Sequence, residues 1–177
     1  MRNEIKPYLL SLDVEHEGGK IIQLSGIMLV QIAPNIYQIC RNLNVYIKID
    51  QHISQFIQEY TGITNTFLEQ YGVSLEEAQK QWDLFVGGIN PDDILLFSHG
   101  IFQDLELLNE NGFDLADYEL WDTYNMSRFL LQRDNHLSLQ ELVEEGGYMP
   151  IQQHNAYSDA FSNVMLYSYL LKLQGDE

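Results

Sequence analysis

The stretch YLLSLDVE, residues 8–15, is an apolar run that ends in two acidic residues. Tyr8 to Leu12 is apolar apart from one serine, which is typical of a β-strand buried on both faces of a sheet. Because side chains alternate along a strand, Asp13 and Glu15 point to the same side and can reach one cation. A single Asp-x-Glu in an acidic chain is more often a solvated strand end. The stretch therefore predicts a central strand and only suggests a site.

Two further β-rich stretches lie in the first fifty residues. Gly18-Gly19 offers a tight turn before IIQLSGIMLVQI, residues 21–32, and NVYIKI, residues 44–49, follows Pro34 and a polar break. Three strands with short connections predict an antiparallel meander at the start of a sheet.

The remainder of the chain has mainly helical patterns. Ile53, Phe56, Ile57 and Tyr60 have the i, i+3, i+4, i+7 spacing of an amphipathic helix, which Gly62 ends. Capping-box spacings are present at Ser74 with Glu77 and at Ser138 with Glu141. Further helices are predicted at about 74–85, 102–111, 123–132, 138–145 and 155–173, with one short buried strand, ILLF, at 94–97.

The predicted fold is α/β, with helices flanking a central mixed sheet, in a single domain over residues 1–177. The composition agrees with one folded domain, since 45% of the residues are hydrophobic and 20% are charged. Cys40 is the only cysteine, so neither an internal disulfide nor a thiolate metal site can form. The N-terminal MRNEIKPYLLSLDVE does not resemble a secretory signal, and no apolar run reaches the roughly 18 residues of a membrane span. We therefore expect a cytoplasmic protein without a membrane segment.

The net charge of −17 restricts the nucleic-acid partners that the chain can bind. It arises from 26 acidic residues against 9 Lys and Arg. A duplex-binding protein normally has a basic face that displaces counterions from phosphate, and here the long-range field repels a polyanion. The charge argues against a general duplex-binding protein, but not against an enzyme that holds only one strand end.

Three further residues carry candidate chemistry. Asp104 follows the predicted ILLF strand in the first turn of a helix, where an acid also favours the helix dipole. Asp159 lies in a largely apolar helical stretch and needs a partner or a metal if it is buried. His154 precedes it with the spacing H-x4-D, but His99 and Asp104 have the same spacing. Each feature is therefore weak by itself.

Taken together, in order and context, these residues resemble the DEDDh, or DnaQ-like, 3′–5′ exonucleases, whose members include the proofreading subunit of the bacterial replicative polymerase, RNase T and oligoribonuclease. Asp13 and Glu15 match the first motif, Asp104 the second, and His154 with Asp159 the third. The stretches YTGIT (60–64), DTYNMSR (122–128) and LSLQEL (137–142) agree as well. The resemblance covers about residues 7–173.

The resemblance implies a ribonuclease-H-like fold and a two-metal mechanism. In this interpretation Asp13, Glu15, Asp104 and Asp159 hold two Mg²⁺ or Mn²⁺ ions, hard cations suited to carboxylate oxygens. His154 acts as general base, and mononucleotides leave from the 3′ end of single-stranded DNA or RNA.

His99 is the other candidate for the general base, because His99 and Asp104 also have the H-x4-D spacing. The resemblance favours His154, which occupies the matching position of the family, whereas His99 lies where the family often has a structural histidine.

The sequence departs from the commoner pattern of this family at His16, Gly100 and Gln103, which leaves the shape of the nucleotide pocket open. Beside the motifs, His16, Phe102 and Tyr157 are candidate substrate contacts, although Tyr157 is as readily a packed core residue.

Three alternatives follow for function. The chain is a true exonuclease, an enzyme for very short oligonucleotides, or a catalytically weak interaction or regulatory subunit of the same fold. A polymerase or other protein partner is compatible with each. No H-E-x-x-H, P-loop, G-x-S-x-G or G-x-G-x-x-G motif supports another enzyme class.

Overall fold

The structure is a computed structural model that describes residues 6–34, 36–115, 117–149, 151 and 154–175. Residues 1–5, on which the expectation of no secretory signal partly rests, lie outside the described residues. None of the described helices is both long enough and apolar enough to cross a membrane.

Five strands form one mixed sheet in the order β3-β2-β1-β4-β5. Their bounds are β1 Tyr8–Glu17, β2 Lys20–Ala33, β3 Ile36–Tyr46, β4 Ile94–Ser98 and β5 Glu119–Asp122. The first three strands pair antiparallel, so the predicted meander is confirmed. β4 and β5 pair parallel beside β1, which places the carboxyl ends of β1, β4 and β5 at one edge of the sheet.

Both edge strands differ from the prediction. β3 runs from Ile36 to Tyr46, whereas the predicted strand covered residues 44–49. The prediction missed its first part because many of the side chains there are exposed and it contains no apolar run. β5 was not predicted, since it has four residues, none of them fully buried. Two strands, rather than one, therefore lie among the helices.

The helices are α1 Gln55–Thr61, α2 Asn65–Tyr71, α3 Leu75–Val86, α4 Ile101–Glu110, α5 Thr123–Leu131, α6 Leu139–Glu145 and α7 Ala156–Gly175. The sequence missed only α2, which is short and begins at the side-chain cap of Thr64. A full capping box is present at Ser138. At Ser74 only half of the box is present. The Ser74 side chain accepts from the N–H of Glu77, but the Glu77 carboxylate accepts from Gln81 and not from the N–H of Ser74.

The sheet is covered on both faces, as the apolar run of β1 predicted. Leu10 packs with the residues of α3 and α4, such as Trp82, whereas Leu9 packs with Ala160 on α7. The Ser11 hydroxyl donates to the carbonyl of Ala160 at 2.8 Å, which ties α7 to the face of β1 that carries residues 9, 11, 13 and 15.

Candidate active site

Asp13 and Glu15 lie in the C-terminal half of β1, which continues to Glu17. They share the face that Ser11 presents to α7, because side chains alternate along the strand. The first turn of α7 carries Asp159 on the opposite side of this space. Carboxylate oxygens of Asp13, Glu15 and Asp159 lie within 4.8 Å of one another. The structure thus brings three of the four predicted acids together.

Asp104 lies in the first turn of α4, as predicted, but outside the group of three. The Ser98 hydroxyl at the end of β4 donates a hydrogen bond to its carboxylate. Gly100 connects β4 to α4 with a φ of 89°, a conformation that glycine adopts without strain. The N–H of Gly100 donates to Asp122 at 3.0 Å. Asp122, which the sequence did not single out beyond the stretch DTYNMSR, therefore helps to place Asp104.

The four acids repel one another. Burial, followed by repulsion from the other three acids, raises the pKa of Asp13 well above its usual value. Burial and the charges of Asp159 and Asp104 raise the pKa of Glu15 to about 7. Burial also raises the pKa of Asp104 to about 7, although the Ser98 hydrogen bond lowers it, and the pKa of Asp159 to about 6.

No Lys or Arg in the described part of the chain forms an ion pair with these four acids. Partly buried carboxylates without a compensating charge destabilise a fold unless they are protonated or bind a cation. An oxygen-only donor set of this kind suits hard divalent cations such as Mg²⁺ or Mn²⁺. The residues present therefore fit a divalent metal site.

His154 lies beside this group, two residues before α7 begins. Its ring stacks on Tyr60, with ring centroids 3.6 Å apart and planes at 28°. His154, Tyr60, Asp13 and Asp159 all line one cleft of about 410 Å³. The backbone N–H of His154 donates to the Asp159 carboxylate. Burial lowers the pKa of His154, which favours the neutral ring that accepts a proton.

His99 lies in the same cleft but has both ring nitrogens engaged. Its Nε2 donates to the carbonyl of Leu137 at 3.0 Å, and its Nδ1 lies 3.2 Å from the hydroxyl of Thr123. Burial lowers its pKa. These contacts connect β4 to the segment before α6, which is a structural role.

None of the three predicted substrate contacts is among the described residues that line the cleft. His16 is exposed at the end of β1. Phe102 is 64% exposed in the first turn of α4. Tyr157, in the first turn of α7, packs against the core, in agreement with its interpretation as a packed core residue.

Tyr60 is the functional candidate that the sequence did not single out. The helical spacing of α1 placed it with Phe56 on a buried face, but the two side chains are 46% and 68% exposed. Their rings stack, with centroids 5.6 Å apart. The stretch YTGIT, which contains Tyr60 and agrees with the family resemblance, is the sequence signal that could have identified it.

Comparisons with known proteins agree with this geometry. The RNase T family model, described as an exonuclease, matches residues 10–167. The 3′–5′ exonuclease DinG of Bacillus subtilis strain 168 is 29% identical over 160 residues, which are 88% of this chain and 16% of DinG. The chain thus spans a small part of the length of this relative.

Solved structures share the fold. E. coli exonuclease I in a complex with single-stranded DNA matches with a TM-score of 0.76 and 15% identity, over 97% of this chain and 42% of the other. A 3′-exonuclease that recognises the 3′ end of a histone mRNA stem-loop matches with a TM-score of 0.73 and 13% identity, over 96% of this chain and 84% of the other. With the ribonuclease-H-like fold and a family match over most of its length, the chain belongs to the RNase T family of DnaQ-like exonucleases.

Proposed function

We propose that this chain is a metal-dependent 3′–5′ exonuclease that releases mononucleotides from the 3′ end of single-stranded DNA or RNA. The observation that carries the proposal is the gathering of carboxylate oxygens of Asp13, Glu15 and Asp159 within 4.8 Å, at a cleft that Asp13 and Asp159 line together with His154. Family membership supports the same reaction. Because the chain covers only 16% of DinG, the activity of that protein does not transfer without a test.

Asp13, Glu15, Asp104 and Asp159 would hold two divalent cations in this proposal. When bound, Mg²⁺ or Mn²⁺ supplies an activated water and neutralises the charge that develops on the leaving oxygen. The carboxylates supply the negative charge and the oxygen donors, and Ser98 orients Asp104 through its hydroxyl.

His154 is the proposed general base. Its lowered pKa keeps the ring neutral near pH 7, so that the ring accepts the proton of the attacking water. The stack on Tyr60 and the hydrogen bond from its backbone N–H to Asp159 limit its movement. His99 is not proposed for this role, since both of its ring nitrogens have partners.

The cleft favours a substrate with few phosphates. No Lys or Arg is among the described residues that line it, so the phosphates of a long strand would find little compensating charge there. The exposed rings of Tyr60 and Phe56 offer a surface on which bases can stack, whatever their sequence. We therefore propose a single-stranded 3′ end or a short oligonucleotide, and the choice between DNA and RNA stays open to the assay.

The direct test is the digestion of 5′-labelled single-stranded DNA, RNA and dinucleotides with Mg²⁺ or Mn²⁺. We expect a ladder that shortens from the 3′ end, with mononucleotide products, and no ladder with EDTA or with Asp13→Asn. Absence of metal-dependent hydrolysis on all three substrates would favour the catalytically weak subunit, with a polymerase or other protein as its partner.

A further inference from the structure

Gln23 is a fully buried polar side chain in a largely apolar part of β2. It lies directly opposite Glu15 in the antiparallel pairing of β1 and β2. Residues directly opposite in such a pair have their side chains on the same face, so Gln23 points toward α7, as Glu15 does. A buried amide without hydrogen-bond partners would destabilise the fold, so its partners indicate why it is present.

The amide of Gln23 connects two distant parts of the chain. Its Oε1 accepts a hydrogen bond from the N–H of Ala156 at 3.1 Å, and its Nε2 donates to Oδ1 of Asn44 at 2.9 Å. The Ser25 hydroxyl donates to the same Asn44 oxygen at 3.0 Å. Because a peptide N–H can only donate, the orientation of the Gln23 amide follows from the Ala156 contact.

Ala156 is the first residue of α7, and an N–H at this position has no acceptor within the helix. The Asn155 side chain caps the helix by accepting from the N–H of Ser158, so it does not serve the N–H of Ala156. Gln23 is thus the acceptor that holds the first residue of α7 to the sheet. His154, two residues earlier, has a φ of 55°, which non-glycine residues rarely adopt and which the surroundings must maintain.

We propose that Gln23 is a positioning residue, which holds His154 and Asp159 in register with Glu15 on the neighbouring strand. The proposal rests on the proposed exonuclease function for its kinetic part. A displacement of about 1 Å in a catalytic group can lower a rate by about a hundredfold, so a single buried hydrogen bond at this point can affect turnover.

The kinetic test compares Gln23→Met with Ser25→Ala. Methionine has a similar length but makes no amide hydrogen bonds, whereas Ser25→Ala removes a buried hydroxyl from the same strand and network without a hydrogen bond to α7. For Gln23→Met we expect kcat to fall at least about tenfold with KM within about threefold. For Ser25→Ala we expect kcat within about twofold of the unsubstituted protein. A Gln23→Met kcat no lower than that of Ser25→Ala would overturn the proposal.

A second measurement requires no activity. In the unsubstituted protein the Ala156 amide should exchange slowly, and the Tyr60 ring should shift the His154 ring protons upfield. In Gln23→Met we expect Ala156 to exchange at least about tenfold faster and the His154 shift to shrink, with neither change in Ser25→Ala. If all variants lack nuclease activity, the Ala156 exchange rate and the His154 shift still decide whether Gln23 positions the start of α7. If neither changes in Gln23→Met, the proposal is overturned.

Asn44→Ala provides the variant to use if Gln23→Met does not fold. Asn44 is exposed, so its truncation leaves the buried side chains in place and removes the oxygen that accepts from the Gln23 amide and from the Ser25 hydroxyl. We expect the Ala156 exchange rate to rise in the same direction, by at least about threefold. An Ala156 exchange rate equal to that of the unsubstituted protein would contradict the proposal.

Discussion

The His154 ring stacks on the Tyr60 ring at a centroid separation of 3.6 Å, although 93 intervening residues separate the two in the sequence. Tyr60 is also close enough to the acids that Glu15, Asp159 and Asp13, in addition to burial, raise its pKa. The ring therefore lies between the exposed α1 surface and the carboxylate group. This relationship gives α1 a part in the site that its sequence pattern alone did not predict.

Tyr60→Ala should lower kcat about tenfold, because the His154 ring loses the surface that limits its orientation. Tyr60→Phe retains the ring and should keep kcat within about twofold. Steady-state kinetics on a short single strand measure both variants. Equal losses in both variants would show that the hydroxyl, and not the stack, is the important group.

His154→Gln and His99→Gln should separate a chemical role from a structural one. Loss of the general base in His154→Gln should reduce kcat by about 10²–10⁴ with little change in the free energy of unfolding. His99→Gln should lower the free energy of unfolding by about 1–3 kcal/mol, because its contacts with Leu137 and Thr123 are lost or weakened. Turnover and denaturant unfolding together test the pair, and a larger kcat loss in His99→Gln would reverse the assignment.

Asp104→Asn should abolish most activity and yet stabilise the metal-free protein. The amide keeps an acceptor for the Ser98 hydroxyl and removes one of the charges that raise the pKa values of Asp13 and Glu15. We expect kcat to fall at least about a hundredfold and the thermal midpoint in EDTA near pH 8 to rise. Glu106→Gln, an exposed acid on the same helix, is the control and should change neither quantity. A lower midpoint for Asp104→Asn would contradict the repulsion argument.

The stability of the metal-free protein should fall as the pH rises. The folded-state pKa is about 7 for Glu15 and Asp104 and about 6 for Asp159, whereas unfolded acids titrate near 4. Between these values the folded state binds more protons than the unfolded state, so stability is greatest below about pH 4 to 5 for these groups and is lost through about pH 7.

Mg²⁺ should reverse this trend, because it binds only the deprotonated acids. We expect the Mg²⁺-induced rise of the thermal midpoint to be small near pH 5 and to grow toward about pH 8. Thermal unfolding in EDTA and in Mg²⁺ across this range provides the measurement. A rise that is independent of pH would show that the metal does not bind at these carboxylates.

Most of the fold was predictable because its signals are local. The apolar run of β1, the stop at Gly62 and the cap at Ser138 each depend on a few neighbouring residues, and the helix limits follow from them. The edge strands were less predictable, because most of their side chains are exposed or half-buried and their sequences contain no continuous apolar run. The motif residues were identified through their order along the chain, not through any one spacing.

The sequence by itself determined the fold class, because strand alternation and helix periodicity place side chains on faces. Through the order of its motifs it also gave the family resemblance, which named the acidic residues of the candidate site. The tertiary structure alone decided that His99 is held by Leu137 and Thr123, and that Gln23 accepts from Ala156 across 133 positions. Contacts of this kind depend on how the helices and the segments between them lie on the sheet. That placement arises from packing over the whole core, and no local pattern encodes it.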